Sequence, residues 1–440
     1  MNITKKFRGV FYGWWMIIAA IVMNMTVGGV TLYGFTAFYN PIVAEMGWTR
    51  AQTALAFSLR SIEGGIIMPI VGLFVDRMGV RKCVFIGLLI IGAAFILMSR
   101  LSSLPTFYTA FMLMALGNTM FAGIPQYTAV ANWFRRKRSR AMGVLSAGFG
   151  ISGVMAPVLV FLINRYGWRS SLFGLALGIW AIGLPLSMFM RHRPEPYGLL
   201  PDGDKPGDPP VEETGTATAP GRSRYAHLGS SGSSLEEGLT LKEALRTRNF
   251  YLLMCFNAFS AIVMSSMSVL VIPHLTSAGV AEGIAAFAVT GITTSSLIGR
   301  VGFGSLGDTH NKKLLLVIAV LMRAIGVFIF ANIHSAWMII PFLLMYGPGF
   351  GAPIPLVQAI QADCFGTKNF ASIRGMMALG HTVFGVTAPL FAGWIYDVQG
   401  SYRLAFMIFA VISSLAIPAI MMVKVPAPKK DTVAIEKAAV

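Results

Sequence analysis

The chain of 440 residues is 55% hydrophobic and only 12% charged, with a mean hydropathy of +0.68. Soluble domains carry about 25% charged residues, so this composition predicts a chain that lies mainly in lipid. The net charge of +17 does not indicate nucleic-acid binding, because the basic residues lie between apolar segments rather than on one soluble face.

The apolar segments predict about twelve membrane crossings. About twenty apolar residues span a bilayer, and a single segment crosses it as a helix. The first segment follows a basic start but is too long for a signal peptide, so we expect it to remain in the protein. The predicted spans are 12–39, 50–75, 82–100, 104–133, 140–164, 169–190, 249–277, 283–306, 313–333, 336–362, 371–396 and 403–424.

The distribution of basic residues predicts the orientation. With both termini inside, the N-terminus, the short inner loops and the tail hold 19 Lys and Arg, against five in the outer loops. Inner loops are enriched in Lys and Arg, so we expect both termini in the cytoplasm. The expected domains are an N-terminal six-helix half (1–190), a flexible cytoplasmic linker rich in Pro, Gly and Ser (191–248), a C-terminal six-helix half (249–424) and a cytoplasmic tail (425–440).

Cysteine usage and motifs speak against an enzyme. Cys83, Cys255 and Cys364 lie within or at the ends of apolar segments and share no metal-ligand spacing, so we expect neither disulfides nor zinc. No span carries clustered His, Asp or Cys at catalytic spacing, and the linker has no nucleotide motif. The sequence therefore predicts no cofactor, no metal and no nucleic-acid partner.

A single offset of 232 residues relates the two halves. It relates span 2 to span 8 through Gly72 and Gly304 and through Asp76 and Asp308. It also relates span 5 to span 11 through Gly143, Gly148, Gly153 and Pro157, which match Gly375, Gly380, Gly385 and Pro389. One register across two helix pairs predicts parallel repeats around a central site.

The ends of spans 2 and 8 carry a recognisable motif. The first reads GLFVDRMGVRK and the second GSLGDTHNKK, and the motif residues are Gly72, Asp76, Arg77, Arg81, Gly304, Asp308 and Lys313. This pattern closely resembles the loop signature of the major facilitator superfamily, although Thr309 and Asn311 replace the Arg and Gly in the second copy. The resemblance implies an all-α membrane fold of twelve helices in two pseudo-repeat halves. It also implies a conformational latch, in which the acid pairs with bases across the interface between the halves.

A narrower resemblance lies in the loops. The segments YGWW, FYNPIVAEMGWTRAQTALAFSL, NWFRRKRSRAMGVLSAGFGISG and RPEPYGLLPDGD are similar to those of the oxalate/formate antiporter and monocarboxylate transporter group. This resemblance implies a carrier of small organic anions. A drug/proton antiporter is disfavoured, because Ala156 interrupts the G-x-x-x-G-P signature expected before Pro157.

Two cationic groups within spans point to an anion site. Arg300 lies eight residues before Asp308, about 12 Å inward, and His381 lies seven residues after Arg374, about 10 Å inward. Arginine offers a planar fork for a carboxylate, and histidine adds a titratable donor. The resemblance likewise implies an anion-binding arginine in span 8, and the histidine in place of an expected lysine favours a singly charged substrate.

The remaining charges within spans have different predicted roles. Arg60 and Glu63 can form a local ion pair on one helix. Glu63 is the only acid near mid-membrane, so we expect it, with Arg60 and His381, among the proton-coupling groups. Ser296 replaces the span 8 acid of the animal-type pattern, which puts the familiar coupling pair in doubt. We expect Arg323, on span 9, to be structural.

Polar residues in spans 1, 4 and 10 complete the predicted substrate site: Asn24, Asn118, Tyr127 and Tyr346. Span 10 reads MYGPGFGAPIPLVQAIQ, whose prolines and glycines predict a broken helix or gating hinge.

These observations predict a secondary transporter for a small organic anion, in the first place a monocarboxylate such as lactate, pyruvate or formate. Its partners would be protons or a counter-anion and the lipid bilayer, and we expect a monomer in a bacterial inner membrane. The alternatives are a transporter-like receptor or sensor, and a major facilitator carrier for another solute such as a drug or dicarboxylate.

Overall fold

The computed structural model describes residues 11–48, 65–152, 155–204 and 238–425, which form helices and one isolated β-bridge between Gly238 and Gly366. The earlier helices are α1 (Tyr12–Met23), its π-helical continuation (Asn24–Gly34), α2 (Phe35–Met46), α3 (65–78), α4 (Val80–Ser99), α5 (Leu104–Phe121), α6 (Ile124–Trp133), α7 (Arg138–Ile151) and α8 (Met155–Ser187). The later helices are α9 (Leu241–Ala244), α10 (Arg248–Ser277), α11 (Glu282–Ile298), a π-helical turn (Gly299–Phe303), α12 (Gly304–Leu306), α13 (Lys312–Ala331), α14 (Ile339–Gly351), α15 (Pro353–Phe365), α16 (Phe370–Gln399), α17 (Arg403–Ser414) and α18 (Ala416–Met422).

Ten helices in the described part of the chain are long and apolar enough to cross a membrane. They correspond to the predicted spans except 50–75 and 140–164, which include residues outside the described ranges. Arg60 and Glu63 belong to those residues, so their structural roles stay predictions. The all-helical membrane fold is thus confirmed, while the count of twelve and the domain boundaries stay predictions.

The long helix α8 contains the end of one predicted span and most of the next. Gly167 interrupts it with φ 75° and ψ 159°, a backbone conformation that favours glycine. The chain can therefore turn at this point, between the predicted spans 140–164 and 169–190.

Span 10 is helical through the segment in which we expected a break. Ala352, between α14 and α15, has helical φ and ψ of −60° and −41°, and its N–H donates to the Pro348 carbonyl at 2.9 Å. The glycines allow close packing instead. A methyl group at Gly349 would lie 2.5 Å from the Arg323 nitrogen, and one at Gly351 would overlap the Ser296 carbonyl oxygen. The backbone therefore keeps helical dihedrals between α14 and α15, and a gating hinge at this point stays a prediction.

The predicted linker begins with a structured segment. The Asp202 carboxylate accepts backbone N–H groups of Arg135 and Arg136 at 3.0 and 2.7 Å. Arg191 stacks on the rings of Tyr12 and Tyr197, at 4.3 and 3.8 Å from their centroids. Residues 191–204 therefore pack onto the loop between α6 and α7, and residues 205–237 lie outside the described part.

Buried apolar side chains form three clusters. One belongs mainly to α1–α8, and the other two belong to α9–α18. The first cluster also includes Ala359, Ala362, Phe370 and Ala371, from α15 and α16. The earlier and later helices therefore share a packed interface around the ends of α15 and α16.

Backbones of the earlier and later helices meet at four glycines. A methyl group at Gly72 would overlap the Ala371 carbonyl oxygen, and one at Gly375 would lie 2.5 Å from that of Met68. One at Gly143 would overlap the Arg300 carbonyl oxygen, and Gly304 opposes Ser139 in the same way, at 2.9 Å. The offset of 232 residues maps the first crossing, Gly72 with Gly375, onto the second, Gly304 with Gly143.

We expect Gly143→Ala to destabilise the protein, because the added methyl group meets backbone that cannot yield without separating two helices. Such overpacking costs about 1–3 kcal/mol. Gly178→Ala is the matched control, since nothing lies within 4 Å of that helical position and alanine favours helix by about 0.5–1 kcal/mol. The measurement is the midpoint of thermal unfolding in detergent. A midpoint for Gly143→Ala equal to or above that of Gly178→Ala would contradict the close crossing.

Candidate functional site

One end of the helix bundle is closed by two aspartates, and we call it the latch end. Asp76, near the end of α3, accepts the Ser372 N–H at 2.9 Å and the Ser372 hydroxyl at 2.5 Å. Ser372 lies in the first turn of α16, where helix N–H groups are unsatisfied and the helix dipole favours an anion. The helices form two sets, the earlier set α1–α8 and the later set α9–α18. The Asp76 carboxylate, in the earlier set, therefore caps a helix of the later set.

Asp308 makes the equivalent contact on the other side. Its carboxylate accepts the N–H groups of Ser139 and Arg140, at 2.8 and 3.2 Å, in the first turn of α7. The repeat offset maps Asp76 onto Asp308 and Arg140 onto Ser372, so the two caps occupy corresponding positions. The latch end therefore has a pseudo-twofold arrangement of carboxylates on helix N-termini.

The partners of these aspartates differ from the basic side chains that we expected. Arg77 and Arg81 are exposed, and the Lys313 ammonium donates to the Val423 carbonyl at 2.9 Å, next to the end of α18. Gly72 and Gly304 instead permit the close backbone crossings that bring the helix N-termini to the acids. A carboxylate in this position gains backbone hydrogen bonds and the helix dipole without a paired base.

Burial raises the pKa of both aspartates. The pKa of Asp308 rises to about 6, and its hydrogen bonds from Arg140 and Ser139 oppose this rise only in part. The pKa of Asp76 also shifts upward through burial, against the hydrogen bonds from Ser372. Each cap thus holds a carboxylate that takes up a proton more readily than an exposed one.

An ion-pair group at the latch end was missed by the sequence analysis. Asp363, at the end of α15, accepts Arg138 at 2.9 Å and Lys312 at 2.6 Å. Arg138 begins α7, so this contact also joins the earlier helices to the later ones. By sequence these residues are ordinary loop charges, and no spacing pattern connects Arg138 with a residue 225 positions away.

Arg300 lies at the interface between the two sets of helices. It belongs to the π-helical turn Gly299–Phe303 and is 6% exposed. Its Nη1 donates to the Ser146 carbonyl of α7 at 2.6 Å. A permanently charged guanidinium is thus held in the protein interior against a helix of the other set.

Tyr127, on α6, connects Arg300 to a second arginine. Its side chain is 4% exposed, with Arg374 and Arg300 as charged neighbours and Ser146 as a polar one. The Arg374 guanidinium carbon lies 4.3 Å from the centroid of the Tyr127 ring. Tyr127, Ser146, Arg300 and Arg374 form what we call the arginine–tyrosine group.

The predicted partner of Arg300, His381, lies further along the same helix as Arg374. The separation of seven residues corresponds to about 10 Å along α16, and His381 is partly buried. The structure therefore brings Arg374, which by sequence is a base at the start of span 11, to Tyr127. The sequence could have indicated Arg374 as a site residue, since it lies within the first turns of the predicted span 371–396.

The other predicted substrate contacts lie in two places. Asn24 is fully buried and exchanges two amide hydrogen bonds with Gln126, at 2.8 and 2.9 Å, and Asn118 accepts Thr31 at 3.4 Å. These pairs join span 1 to span 4 near the arginine–tyrosine group, since Gln126 adjoins Tyr127.

Tyr346 lies beside a different arginine. Its ring stacks between Phe342 and Phe350, at centroid distances of 5.3 and 5.8 Å, and its charged neighbour is Arg323. Arg323 is 3% exposed and donates to the hydroxyls of Ser413 and Ser260, each at 3.2 Å. Tyr346 thus belongs to a buried contact that joins α10, α13, α14 and α17.

The sequence matches the Major Facilitator Superfamily over residues 9–301 and 254–439. Among curated relatives, mouse monocarboxylate transporter 12 is 26% identical over 439 residues, covering 96% of this chain and 89% of the relative. Rat monocarboxylate transporter 2 is 23% identical over 410 residues, covering 91% and 81% of the two chains.

Solved structures share the fold. The Escherichia coli fucose:proton symporter FucP in an outward conformation has a TM-score of 0.69 at 14% identity, covering 94% of this chain and all of that one. The human organic anion transporter MFSD10 has a TM-score of 0.66 at 11% identity, covering 93% and 99%. At these identities the likeness establishes the fold alone.

We expect acidification to favour closure of the latch end. The pKa of Asp308 is about 6 in the closed state, against about 3.9 for an exposed aspartate. The closed state therefore binds more protons between these values and gains stability as the pH falls through 6. The fraction of protein with a closed latch end can be measured by double electron–electron resonance. The spin labels are placed at the exposed positions 82 and 310 in a cysteine-free background.

Lowering the pH from about 7.5 to about 5.5 should enrich the short label distance. Asp308→Asn should remove most of this response, and Asp397→Asn, at an exposed position at the far end of α16 from the Asp76 cap, should leave it unchanged. A longer distance at low pH, or an undiminished response in Asp308→Asn, would contradict the assignment.

Proposed function

Because the chain belongs to the Major Facilitator Superfamily, and is thus a secondary transporter with multiple membrane spans rather than an enzyme, we propose that it carries a small organic anion, in the first place a monocarboxylate such as lactate, pyruvate or formate. The relatives named for monocarboxylate transport span most of the chain and support this choice. The observation that carries it is the burial of the Arg300 guanidinium at the interface between the two sets of helices.

The chemistry of the arginine–tyrosine group suits a carboxylate. A guanidinium binds a carboxylate through two parallel hydrogen bonds, and such charge-assisted bonds are stronger than neutral ones. Tyr127 adds a hydroxyl whose charged neighbours are Arg374 and Arg300. In this proposal the anion replaces the Ser146 carbonyl as an acceptor of Arg300, while Asn118 and the Asn24–Gln126 pair shape the neighbouring wall.

Transport would follow from rocking of two six-helix halves, 1–190 and 249–424, about this site. We assign the latch end to the cytoplasmic side, with both termini inside, because the basic loops lie there. The structure then represents an outward-facing state, in which Asp76 and Asp308 hold the cytoplasmic ends together. Reorientation requires both caps and the Arg300–Ser146 contact to separate.

This arrangement explains how an anion could favour reorientation. A substrate that takes the hydrogen bond of Arg300 removes one contact that holds α7 to the later helices. The change in hydrogen bonding thus gives the ligand a different affinity for the two states, which any shift of the equilibrium requires.

Coupling in this proposal is by proton symport or by anion exchange. Glu63, Arg60 and His381 are the proton-coupling candidates, and the first two lie outside the described residues. We propose a monomer in a bacterial inner membrane, with the 205–237 segment and the tail on the cytoplasmic side.

Uptake of labelled pyruvate and lactate into proteoliposomes tests the function. We expect Arg300→Ala to reduce uptake about a hundredfold or more, since removal of one charge-assisted hydrogen bond in the interior costs about 3 kcal/mol, and Arg300→Lys to retain part of it. Arg165→Gln is the matched control, because Arg165 is an exposed arginine at a span end.

Uptake that survives Arg300→Ala unchanged would contradict the proposed anchor. Stimulation by an inward proton gradient would establish symport, and stimulation by internal unlabelled anion without pH dependence would establish exchange.

A further inference from the structure

Arg374 has a buried nitrogen without a hydrogen-bond partner among the described residues. The Arg374 guanidinium stacks on the Tyr127 ring, which contributes attraction through the ring face but accepts no hydrogen bond from Nη1. Nη1 is shielded from solvent and unpaired. Buried donors on charged groups are normally satisfied, so this nitrogen is available to an acceptor that enters the site from elsewhere.

The location of Arg374 limits what that acceptor can be. Arg374 and Arg300 are both neighbours of one tyrosine side chain, and Tyr127 lies between helices of the two sets. A ligand that accepts hydrogen bonds from both guanidinium groups must therefore offer oxygen atoms close to one another. A carboxylate with an oxygen on the adjacent carbon has this form, whereas a simple fatty acid presents only its carboxylate.

Starting from the proposed function, we propose that Arg374 is a second substrate ligand that selects 2-oxo and 2-hydroxy carboxylates. Arg300 holds the carboxylate, and the unpaired Nη1 of Arg374 donates to the oxygen on carbon 2. Tyr127 holds the Arg374 fork in place by stacking. His381, further along α16, plays no part in this selection.

A purely structural contact between Arg374 and Tyr127 would behave differently. A clamp between helices affects every substrate alike, because it acts on the conformational equilibrium. A ligand to the 2-position affects only substrates that have an oxygen there. Selectivity between two acids of equal size and charge is therefore the decisive quantity.

Pyruvate and propionate form such a pair, since they share three carbons and one negative charge and differ in the 2-oxo group. The experiment compares their uptake into proteoliposomes by wild type, Arg374→Lys and Arg374→Gln. Arg191→Gln is the matched control, because Arg191 likewise stacks on tyrosines and has a buried, unpaired Nη1, but lies outside the arginine–tyrosine group.

We expect wild type and Arg191→Gln to prefer pyruvate over propionate by about tenfold or more in kcat/KM. In Arg374→Gln the ratio should approach one, with propionate uptake retained, and Arg374→Lys should give an intermediate ratio because it keeps a charge without the fork. A wild-type protein without preference, or equal loss of both acids in the two variants, would overturn the proposal.

Binding to purified protein decides the matter if the variants do not transport. Pyruvate should raise the thermal unfolding midpoint of wild type more than propionate does, and this difference should vanish in Arg374→Gln and shrink in Arg374→Lys. A difference that persists overturns the role of Arg374. Failure of the proposed function looks different: the wild type then carries neither acid, and Arg300→Ala changes nothing.

Discussion

The hydrogen bond from Arg300 to the Ser146 carbonyl, at 2.6 Å, connects the two sets of helices through a buried charge. A desolvated guanidinium is costly unless its donors are satisfied, so the protein interior around Arg300 must supply acceptors in every state. In the present state a backbone carbonyl of α7 accepts a hydrogen bond from Nη1. In the proposed cycle a substrate carboxylate takes over, and the same charge that attracts the anion also helps to hold the interface closed.

Closure of the latch end depends mainly on contacts between aspartate carboxylates and backbone N–H groups, rather than on pairs of oppositely charged side chains. Glycines at 72, 143, 304 and 375 allow helices to approach closely, and this approach places the Asp76 and Asp308 carboxylates on opposing helix N-termini. The two contacts follow the 232-residue repeat, so a rocking motion about a shared axis would break them together. Asp363, bound to Arg138 and Lys312, adds a contact that the repeat does not duplicate.

Much of this arrangement could be predicted from the sequence, because hydropathy and spacing act along the chain. Arg300 is identifiable by its depth from Asp308, and the aspartates by their repeated motif. The partners of those aspartates could not be predicted, since a backbone N–H has no signature in side-chain identity. The depth of Arg374 in the membrane, counted in residues along the helix, gives the position of its Cα only. Its long side chain reaches further, to Tyr127, and this contact could not be predicted from the count. Tyr346 enters the predicted substrate site by residue type alone, and the rotation of α14 turns it towards Arg323.

Two arginine–tyrosine contacts in the described part of this protein have a buried tyrosine, Tyr127 or Tyr346, and only the contact at Tyr127 lies where the earlier and later helices meet. The most direct measurement is the structure of the protein with pyruvate bound, determined by electron cryo-microscopy. We predict density for the acid between Arg300 and Arg374, in contact with Tyr127. Density beside Arg323 and Tyr346, or elsewhere with Arg300 still bound to the Ser146 carbonyl, would contradict this assignment.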